Sequence, residues 1–552
     1  MTALLTDNLP LLAGAPNGIK KLRELILELA VRGKLVPQDP NDEPASELLK
    51  RITEEKAQLE VAEQIRKQKP LPQIAQEEQP FELPEGWAWA RLADVAFSQA
   101  GFAFKSNGFN QAGLGLPLIR IRDVGQPFSG TYYEGDYRPE FLVQRGDYLI
   151  SMDGEFRVAA WEGEASLLNQ RVSRLIFFGE EIARRFIAES LQARLLELQG
   201  IKAYTTVDHL SGRQISESVI ALPPVAEQHR IVAKVDELMA LCDRLEAQQT
   251  DAESAHAQLM QALLDSLTQA SDAEDFAQNW QRLAEHFHTL FTTESSIDAL
   301  KQTLLQLAVM GKLVQQDASD ESADKLLKRI SDQRSTSREK KQKSLADISE
   351  VEKPFDLPCQ WAWTTLPAIG ELARGKSRHR PRNDPSLYAG GNVPLIQTGD
   401  VARANGVVKT YSAMYNAKGV EQSRLWPAGT MCITIAANIA DSATLGFDAC
   451  FPDSVVGFIP ELPELDVRYF EFFLRTAKSH LEDFAPSTAQ KNINLEILGL
   501  LSVPLPPANE VRRIVAKVDQ LMALCDQLRT RLTQARQLNE QLASTLVEQA
   551  VA

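Results

Sequence analysis

The chain has 552 residues, of which 44% are hydrophobic, and a formal net charge of −15. This length suits several globular domains, and no apolar run is long enough to cross a membrane. Its five cysteines form no CxxC pair, which argues against a disulfide framework or a structural zinc site. No basic stretch followed by a hydrophobic segment opens the chain, so we expect a cytoplasmic protein. The acidic total argues against nucleic acid as a partner, although local basic clusters weaken that argument.

Three blocks of sequence occur twice in the same order, about 280 residues apart. The paired copies are Ile19–Ile52 with Ile297–Ile330, Pro80–Trp89 with Pro354–Trp363, and Pro223–Leu245 with Pro506–Leu528. The segments between the blocks, Ala90–Leu222 and Thr364–Leu505, barely resemble each other. Because the period is too long for a solenoid repeat, this pattern predicts a duplicated half-molecule that holds two different inserts.

The first repeated block predicts a helical hairpin. Ile19–Arg32 carries apolar residues at helical spacing and is followed by Gly33, a typical helix C-cap. A second helix is predicted to begin at Pro44 and to continue to Lys67. Charged or proline-containing stretches follow in both copies, Gln68–Pro80 and Arg338–Pro354, and these predict linkers.

The first insert is predicted to be a mixed α/β domain. The apolar runs "GLPLIRIRDV" and "GDYLISM" lie between Gly, Asn and Asp turns and predict strands. A helix is predicted at Ile182–Gln199. In the loop "GFAFKSNGF" we expect Phe102 and Phe104 to lie in the core and Lys105 and Ser106 to face outward.

Several polar side chains of the first insert are candidates for contact with DNA. Arg can bind guanine, and Asn or Gln can bind adenine, each through paired hydrogen bonds. An ordinary surface position is an equally good interpretation for any one of them. The candidates in this insert are Lys105, Ser106, Arg120, Arg122, Arg157, Asn169, Gln170, Arg171, Thr205, Thr206 and His209.

Long helices are predicted after both Pro-Pro pairs. The apolar positions that follow Pro224 alternate spacings of four and three, which is a heptad pattern: Ile231, Val235, Leu238, Cys242 and Leu245. The second copy repeats this pattern from Ile514. Each helix could reach about 40 residues, or roughly 60 Å. We expect the two to pair as an antiparallel coiled coil, with Cys242 and Cys525 as small core residues; the alternative is that each packs only on its own domain.

The second insert is also predicted to be mixed α/β, with strands in "VPLIQTGDV" and "GTMCITIAA" and a helix at Val467–Phe484. Its segment "GELARGKS" (Gly370–Ser377) fits the P-loop pattern. The residues that follow include Pro381 and Pro385, so no phosphate-binding helix can begin there. A basic loop suited to phosphates and guanine edges is the preferred interpretation, and a solvated run of charge is the alternative. The cations of this loop are Arg374, Lys376, Arg378, His379, Arg380 and Arg382.

Two further segments align between the inserts. "RIRDV" (Arg120–Val124) aligns with "QTGDV" (Gln397–Val401), and "AYTTVDHLSGRQI" aligns with "PSTAQKNINLEIL" just before the last strand of each insert. These alignments complete the candidate DNA contacts with Gln397, Thr398, Thr488, Gln490, Lys491 and Asn492.

Searches for catalytic motifs find none. The chain lacks an Asn/Asp-Pro-Pro-Tyr/Phe stretch, GxSxG and HExxH. His286 and His288 have no third ligand nearby in the sequence, so we expect them on the surface. The chain is therefore predicted to be non-catalytic.

The chain resembles the DNA specificity subunits of type I restriction-modification enzymes, and most closely their type IB group. The residues that carry this resemblance are "LELAVRGKLVPQDPND" (Leu27–Asp42), "FELPEGWAW" (Phe81–Trp89), "PPVAEQHRIVAKVDELMALCDRLE" (Pro223–Glu246) and "QTGDV" (Gln397–Val401). The resemblance implies that each insert is a target recognition domain that reads one half of a split double-stranded DNA site. It also implies that the repeated helices are spacers and docking surfaces for two methyltransferase subunits, which motor-nuclease subunits join. S-adenosylmethionine, ATP and magnesium would be bound by those partners, and no cofactor by this chain.

The resemblance and the repeats together give five predicted regions. These are a helical region at 1–80, recognition domains at 81–222 and 355–505, a central region at 223–354 and a final spacer helix at 506–552. One departure from the repeat is that Glu510 is followed by Val511 and Arg512, where the first copy has Gln228 and His229. We therefore expect the two docking surfaces to differ in detail.

Two other functions remain open from the sequence. The first is a P-loop ATPase with coiled-coil arms, which would need a magnesium-binding Walker B strand. The second is a protein-interaction scaffold whose inserts never touch DNA.

Overall fold

The computed structural model describes residues 12–62, 71–202, 209–336, 353–379, 381–436, 439–483 and 493–551. The chain divides into two compact units. One unit contains Met1–Ala252 together with Ala535–Ala552, and the other contains Glu253–Gln534. Each unit holds one copy of the repeated blocks and one insert.

The first unit begins with two helices, and its insert lies between two paired strands. Its helices are α1 (Gly18–Val31), α2 (Ala45–Val61), α3 (Leu92–Val95), α4 (Arg184–Lys202) and α5 (Gly212–Glu217), followed by the start of α6 (Val225–Thr268). Its strands are β1 (Ala88–Arg91), β2 (Ala96–Ala100), β3 (Phe109–Asn110), β4 (Leu116–Ile119), β5 (Tyr132–Tyr133), β6 (Leu142–Val143), β7 (Tyr148–Ser151), β8 (Val158–Ala160), β9 (Ser166–Leu168), β10 (Val172–Phe177) and β11 (Val219–Leu222).

The second unit repeats this order after two additional helices. Its helices are α7 (Ala273–Glu285), α8 (Phe287–Leu290), α9 (Glu294–Val309), α10 (Ala323–Thr336), α11 (Leu366–Ile369), α12 (Thr398–Arg403), α13 (Ala417–Glu421), α14 (Val467–Asp483), α15 (Leu495–Leu500) and the start of α16 (Ala508–Val551). Its strands are β12 (Ala362–Thr364), β13 (Gly370–Arg374), β14 (Val393–Leu395), β15 (Val407–Val408), β16 (Ala413–Tyr415), β17 (Leu425–Trp426), β18 (Met431–Thr434), β19 (Ser442–Leu445), β20 (Ala449–Cys450), β21 (Val455–Pro460) and β22 (Val503–Leu505).

The two inserts share eight strands in the same spatial order despite their different sequences, and each adds one strand, β3 in the first and β15 in the second. In the first, an antiparallel sheet has the strand order β2-β10-β7-β8, and a second sheet has the order β3-β5-β4-β9-β6. In the second, the corresponding sheets have the orders β13-β21-β18-β19-β15 and β16-β14-β20-β17. Each insert starts and ends on paired antiparallel strands, β1 with β11 and β12 with β22. The prediction of two mixed α/β domains in a duplicated frame is confirmed.

The predicted helices of the inserts are present with small shifts in their ends. The helix expected at Ile182–Gln199 is α4, and the helix expected at Val467–Phe484 is α14. The apolar faces of both are buried, with Phe186 and Phe470 each 1% exposed or less. The predicted second helix of the hairpin is α2, which ends at Val61. The first predicted linker is described from residue 71 and contains a short 3₁₀ turn at Gln76–Glu78, whereas most of the second lies outside the described residues.

The three repeated blocks pack together in each unit. Gly33 has a φ of +66°, and a Cβ there would lie 2.6 Å from Pro84 and 2.7 Å from Trp87. Glycine is thus required both by the left-handed backbone and by the close approach of the second block. The third block supplies Glu227, whose carboxylate accepts a hydrogen bond of 3.0 Å from the indole of Trp87. The second unit repeats these contacts around Gly311, which has a φ of +72°.

The long helices α6 and α16 have 44 residues each, close to the predicted length. In the first unit, Val235 and Cys242 of α6 share a hydrophobic core with Ala543 near the end of α16. In the second unit, Leu264 near the end of α6 shares a core with Cys525 in the first half of α16. The start of each helix therefore packs in a core with the end of the other, which is the pattern of an antiparallel pair. This confirms the predicted pairing and the buried positions of both cysteines.

The first position of the departure between the two copies of the third block lies inside the fold. Gln228 and Val511 are both fully buried. The side chain of Gln228 accepts a hydrogen bond of 3.1 Å from the backbone N–H of Ala183 and donates one of 3.0 Å to the carbonyl of Pro223. At the next position both copies are exposed, with His229 in one and Arg512 in the other, so this difference changes a surface. Within the described part of the chain, no helix is both long and apolar enough to span a membrane.

Candidate nucleic-acid interface

The candidate residues of the first insert meet where two parallel strands end. Ile119 of β4 lies beside Leu168 of β9, so Arg120 and Asn169 leave the sheet at the same edge. Phe102 forms a parallel bridge with Asn169, which brings the loop after β2 to this edge as well. We call this group of loops the first loop edge; it comprises 101–108, 120–123, 152–157, 169–171 and 209–210.

Phe102 lies on the surface of the first loop edge, so the expectation of a core position is wrong for this residue. Its side chain is 38% exposed, whereas Phe104 is buried as expected. The Phe102 ring packs against Phe104 and Phe141, with centroid distances of 5.2 and 5.3 Å. The guanidinium of Arg138, which sequence reasoning missed, lies 5.8 Å from its centroid. An exposed ring beside a cation is a combination that can contact a nucleic acid.

Arg171 and His209 come together although 38 residues separate them in sequence. Both contact Asp153, which follows β7: His209 Nδ1 lies 2.6 Å from one carboxylate oxygen, and Arg171 Nε lies 3.3 Å from the other. Backbone hydrogen bonds connect the same three segments, from Met152 N–H to the Arg171 carbonyl at 3.0 Å and from Leu210 N–H to the Met152 carbonyl at 2.7 Å. Sequence reasoning found the arginine and the histidine and missed the aspartate that joins them.

The remaining candidates of the first insert are more loosely held. Lys105, Ser106 and Arg122 are exposed, and all three lie in or beside short 3₁₀ turns. Arg157 forms an ion pair with Glu155. Asn169 uses its side-chain oxygen locally, where it accepts a hydrogen bond of 2.7 Å from the backbone N–H of Gln170.

The aligned segments "RIRDV" and "QTGDV" are structurally equivalent, and their shared aspartates are structural. The Asp123 carboxylate is 1% exposed and accepts a hydrogen bond of 2.8 Å from the backbone N–H of Arg120. Asp400 is 6% exposed and accepts one of 2.9 Å from the N–H of Gln397. Each aspartate closes a turn that follows a strand, and this fixes where Arg120 and Gln397 leave the sheet.

The P-loop-like segment of the second insert forms a strand. Gly370–Arg374 is β13 and pairs with β21 along its whole length. A Cβ at Gly370 would lie 2.3 Å from the Ile459 carbonyl oxygen, and one at Gly375 would lie 2.2 Å from that of Phe451. Both glycines are therefore required for close backbone packing. Gly101 of the first insert corresponds to Gly375, and a Cβ at Gly101 would lie 2.1 Å from the Asn169 carbonyl oxygen.

The basic loop after β13 is partly neutralised by carboxylates. Arg382 donates two hydrogen bonds, of 2.7 and 2.8 Å, to Asp453. His379 Nε2 lies 2.7 Å from Asp384. Hydrogen bonds from Ser386, backbone first, and then from His379 lower the pKa of Asp384 to about 2. Asp384 is therefore ionised and holds the loop in place at neutral pH.

Three further cations of the basic loop face outward. Arg374, Lys376 and Arg378 are exposed. The Gln422 side-chain oxygen accepts a hydrogen bond of 2.7 Å from the backbone N–H of Arg378, so the backbone is fixed while the guanidinium is exposed. Gln397 is also exposed where α12 begins, after β14 and beside the end of β20. Lys376, Arg378 and Gln397 belong to a second loop edge, comprising 375–379, 381–384, 397–398 and 451–454, that corresponds in topology to the first.

Seven candidates lie outside the described residues: Thr205, Thr206, Arg380, Thr488, Gln490, Lys491 and Asn492. The chain returns to the sheet in the same way after both of the gaps at 203–208 and 484–492. Ile493 N–H donates to the Ile435 carbonyl at 3.1 Å, as Leu210 does to Met152 in the first insert. Described segments therefore bring the chain to the corresponding place in both domains.

Sequence reasoning missed the residues that position the cations. Asp153, Asp384, Asp453 and Gln422 each contact a candidate basic residue or its backbone. For three of these contacts the partner is between 18 and 71 residues away, and no local pattern marks such pairs. The Asp384 contact spans five residues and was the one that local sequence could have suggested.

Metal chemistry has no cluster of ligands to support it in the described residues. No group of three or more His, Cys, Asp or Glu side chains there could hold a metal ion. His286 and His288 are exposed, as predicted.

Comparison with known proteins gives one consistent family. Residues 84–253 and 361–536 match the family described as the type I restriction modification DNA specificity domain. The chain is 34% identical, over 97% of its length and 94% of the relative's, to the type I restriction enzyme EcoAI specificity subunit of Escherichia coli. The EcoEI specificity subunit of Escherichia coli shows the same identity and coverage. A solved structure of the HsdS subunit from Thermoanaerobacter tengcongensis is 16% identical, covers 86% of this chain and 98% of its own, and has a TM-score of 0.42.

Proposed function

The chain belongs to the type I restriction-modification DNA specificity family, and we propose that its two loop edges read the two halves of a split DNA target for partner subunits that methylate and cut. The observation that carries this proposal is the pair of inserts with one topology and different exposed side chains. The first edge presents the exposed Arg171 beside the half-buried Arg120 and Asn169, and the second presents the exposed Lys376, Arg378 and Gln397. Arg, Asn and Gln are the side chains best suited to paired hydrogen bonds with base edges.

Two observations disfavour the other functions. The glycines of the P-loop-like segment belong to a paired strand and to a close packing contact, so the segment lacks the loop that would hold phosphate. A scaffold that never touches DNA would not need cations held in place at the loop edges. Asp153 contacts the Arg171 side chain, and Asp123 and Gln422 accept hydrogen bonds from the backbone N–H groups of Arg120 and Arg378.

The acidic net charge fits a reader that works inside a larger complex. Both loop edges carry exposed cations, among them Lys105 and Lys376, although the chain as a whole is acidic. Non-specific affinity for DNA comes mainly from neutralised phosphates. We propose that partner subunits supply much of that phosphate contact and that this chain supplies the base contacts.

The chemistry of the complex is proposed to belong to the partners. On this proposal the chain is non-catalytic and works in the cytoplasm, and the methyltransferase and motor-nuclease subunits bind S-adenosylmethionine, ATP and magnesium. Support comes from the absence of catalytic motifs in the sequence and of metal-ligand clusters among the described residues.

We propose that two copies of one methyltransferase subunit bind the chain. Leu259 and Leu542 occupy equivalent positions on α6 and α16, and their side chains are 56% and 44% exposed. Leu259 belongs to one unit and Leu542 to the other. An exposed leucine at the same position of each repeat gives two similar apolar surfaces, which one kind of partner can occupy twice.

The reading function is tested by mapping methylated adenines. The chain is co-expressed with a methyltransferase subunit of this family in cells that otherwise lack adenine methylation, and the DNA is sequenced for modified bases. We expect methylation at one sequence made of two short half-sites separated by a fixed number of unread bases. The same methylation from the methyltransferase subunit alone would contradict the proposal, as would methylation without sequence preference.

A further inference from the structure

Asp153 lies behind two exposed side chains of the first loop edge. Its side chain is 21% exposed, whereas those of Arg171 and His209 are 53% and 50% exposed. One carboxylate oxygen lies 2.6 Å from His209 Nδ1, and the other lies 3.3 Å from Arg171 Nε. The carboxylate thus contacts each neighbour on its inner side and leaves the outer side of each available.

We propose that Asp153 is a positioning residue for base reading, which holds Arg171 and His209 in a fixed orientation toward one base pair of the first half-site. This inference rests on the proposed function. It adds a residue that is not itself a base contact and names the two side chains through which it acts.

The chemistry of the three groups fixes which atoms face outward. His209 Nδ1 lies 2.6 Å from the Asp153 carboxylate and 3.2 Å from Arg171 Nη1. An ionised carboxylate only accepts hydrogen bonds, so we assign the proton of Nδ1 to the shorter contact, with Asp153. In the neutral ring, Nε2 is then an acceptor that can face the exocyclic amine of adenine or cytosine. Arg171 uses Nε for Asp153, and its Nη2 lies outside that contact, where it can donate to guanine.

The backbone makes this arrangement rigid. Hydrogen bonds between Met152 and Arg171 and between Leu210 and Met152 join the three segments directly beside the side chains. A long side chain that is already held in its binding orientation loses less conformational entropy on contact with DNA. Asp153 therefore contributes to discrimination between bases more than to total affinity.

A second arginine–carboxylate pair in the same domain provides a matched control. Arg145 and Glu162 lie 3.5 Å apart at the opposite end of the β7–β8 hairpin, and their side chains are 75% and 76% exposed. Arg145 and Glu162 lie outside both loop edges, so we expect their pair to have no role in reading DNA.

The test measures methylation rates of the intact complex on a library in which each base of the target is varied. For Asp153→Asn we expect discrimination at one base pair of one half-site to fall roughly tenfold, the scale of one paired base contact, with the other half-site unchanged. Arg171→Lys keeps the charge and loses the planar group that contacts Asp153, so the same position should relax. Adding Asp153→Asn to the double variant Arg171→Ala, His209→Ala should produce no further loss, because the aspartate acts through these two side chains. Glu162→Gln should leave every preference unchanged.

Two results would overturn the inference and leave the proposed function standing. One is a wild-type complex with clear sequence preference and an Asp153→Asn complex with the same preferences. The other is an equal loss of rate on all sequences, which indicates a structural role alone. If Asp153→Asn does not assemble, Arg171→Lys decides, and unchanged preferences in that variant would overturn the inference. A wild-type complex without any sequence preference would overturn both the inference and the proposed function.

Discussion

At the scale of single residues, each copy of the scaffold buries one glutamate beneath an indole. Glu227 accepts a hydrogen bond from Trp87, and Glu510 accepts one from Trp361, both at 3.0 Å. Burial raises the pKa of both carboxyls, and the indole hydrogen bonds partly offset that increase. A buried carboxylate is costly unless it is hydrogen-bonded, so each glutamate orients the tryptophan of the second block against the third.

The sequence predicted these residues as repeats and did not predict their contact. Trp87 and Glu227 are 140 residues apart, and neither belongs to a pattern that indicates the other. The same limit applies to the loop edges. Residue type and position suggested Arg171 and His209, whereas Asp153 became visible only when three segments met in space. The placement of Phe102 was wrong because local hydrophobicity does not show which side of a loop faces solvent.

Single substitutions at the equivalent exposed leucines test the number of partner subunits. Leu259→Glu and Leu542→Glu each place a charge on one of the two proposed docking surfaces, where contact with an apolar partner would bury it at high cost. We expect each variant to form a complex with one methyltransferase subunit, and the double variant to form none. The intact mass of the co-expressed complex gives this count directly.

An exposed leucine away from these positions serves as the control. Leu114→Glu alters a side chain that is 53% exposed in the loop before β4, and it should leave two methyltransferase subunits bound. A complex with a single methyltransferase subunit in the wild type, or two bound to the double variant, would show that these leucines do not mark the docking surfaces.

At the scale of elements, the strongest periodic patterns gave the most accurate predictions. The heptad spacing predicted α6 and α16, their length and their pairing, because a long apolar stripe must be buried along its whole length. The strands were harder to predict. Several have two residues, such as β3, β5 and β6, and so short a strand carries no alternation that distinguishes it from a loop.

The paired helices predict how the gap in the target can be changed. Each helix passes from one unit to the other, α6 after Ala252 and α16 after Gln534. Inserting seven residues at both points keeps the apolar faces in register and lengthens each helix by about 10 Å. With base pairs about 3.4 Å apart, we expect the unread gap to grow by up to about three base pairs while the sequences of both half-sites stay the same.

Insertion into one helix alone is the control for the paired insertion. It shifts Leu264 and Leu267 relative to Cys525, or Ala543 relative to Cys242, so it should reduce the yield of folded protein. Methylated-adenine mapping gives the gap length and the half-site sequences in the same measurement. A paired insertion that changes a half-site sequence and leaves the gap unchanged would contradict the role of these helices as a spacer.

At the scale of the whole molecule, the duplication was fully visible in the sequence, and the shared topology of the inserts was not. The repeated blocks kept their residues because they pack on each other around Gly33, Trp87 and Glu227. The inserts share mainly residues that the backbone needs at equivalent positions, such as the glycines Gly101 and Gly375 and the turn aspartates Asp123 and Asp400. Such scattered positions hold a fold together without giving a recognisable alignment, and the side chains between them are free to differ.

The central claim is that each insert reads its half of the target independently of the other. The most direct measurement exchanges residues 92–218 for the corresponding segment of a family member with a different target, which leaves the paired strands β1 and β11 in place, and then maps methylated adenines. We expect one half-site to change to that of the donor, while the other half-site and the gap stay the same. A change in both half-sites, or in neither, would contradict independent reading by the two inserts.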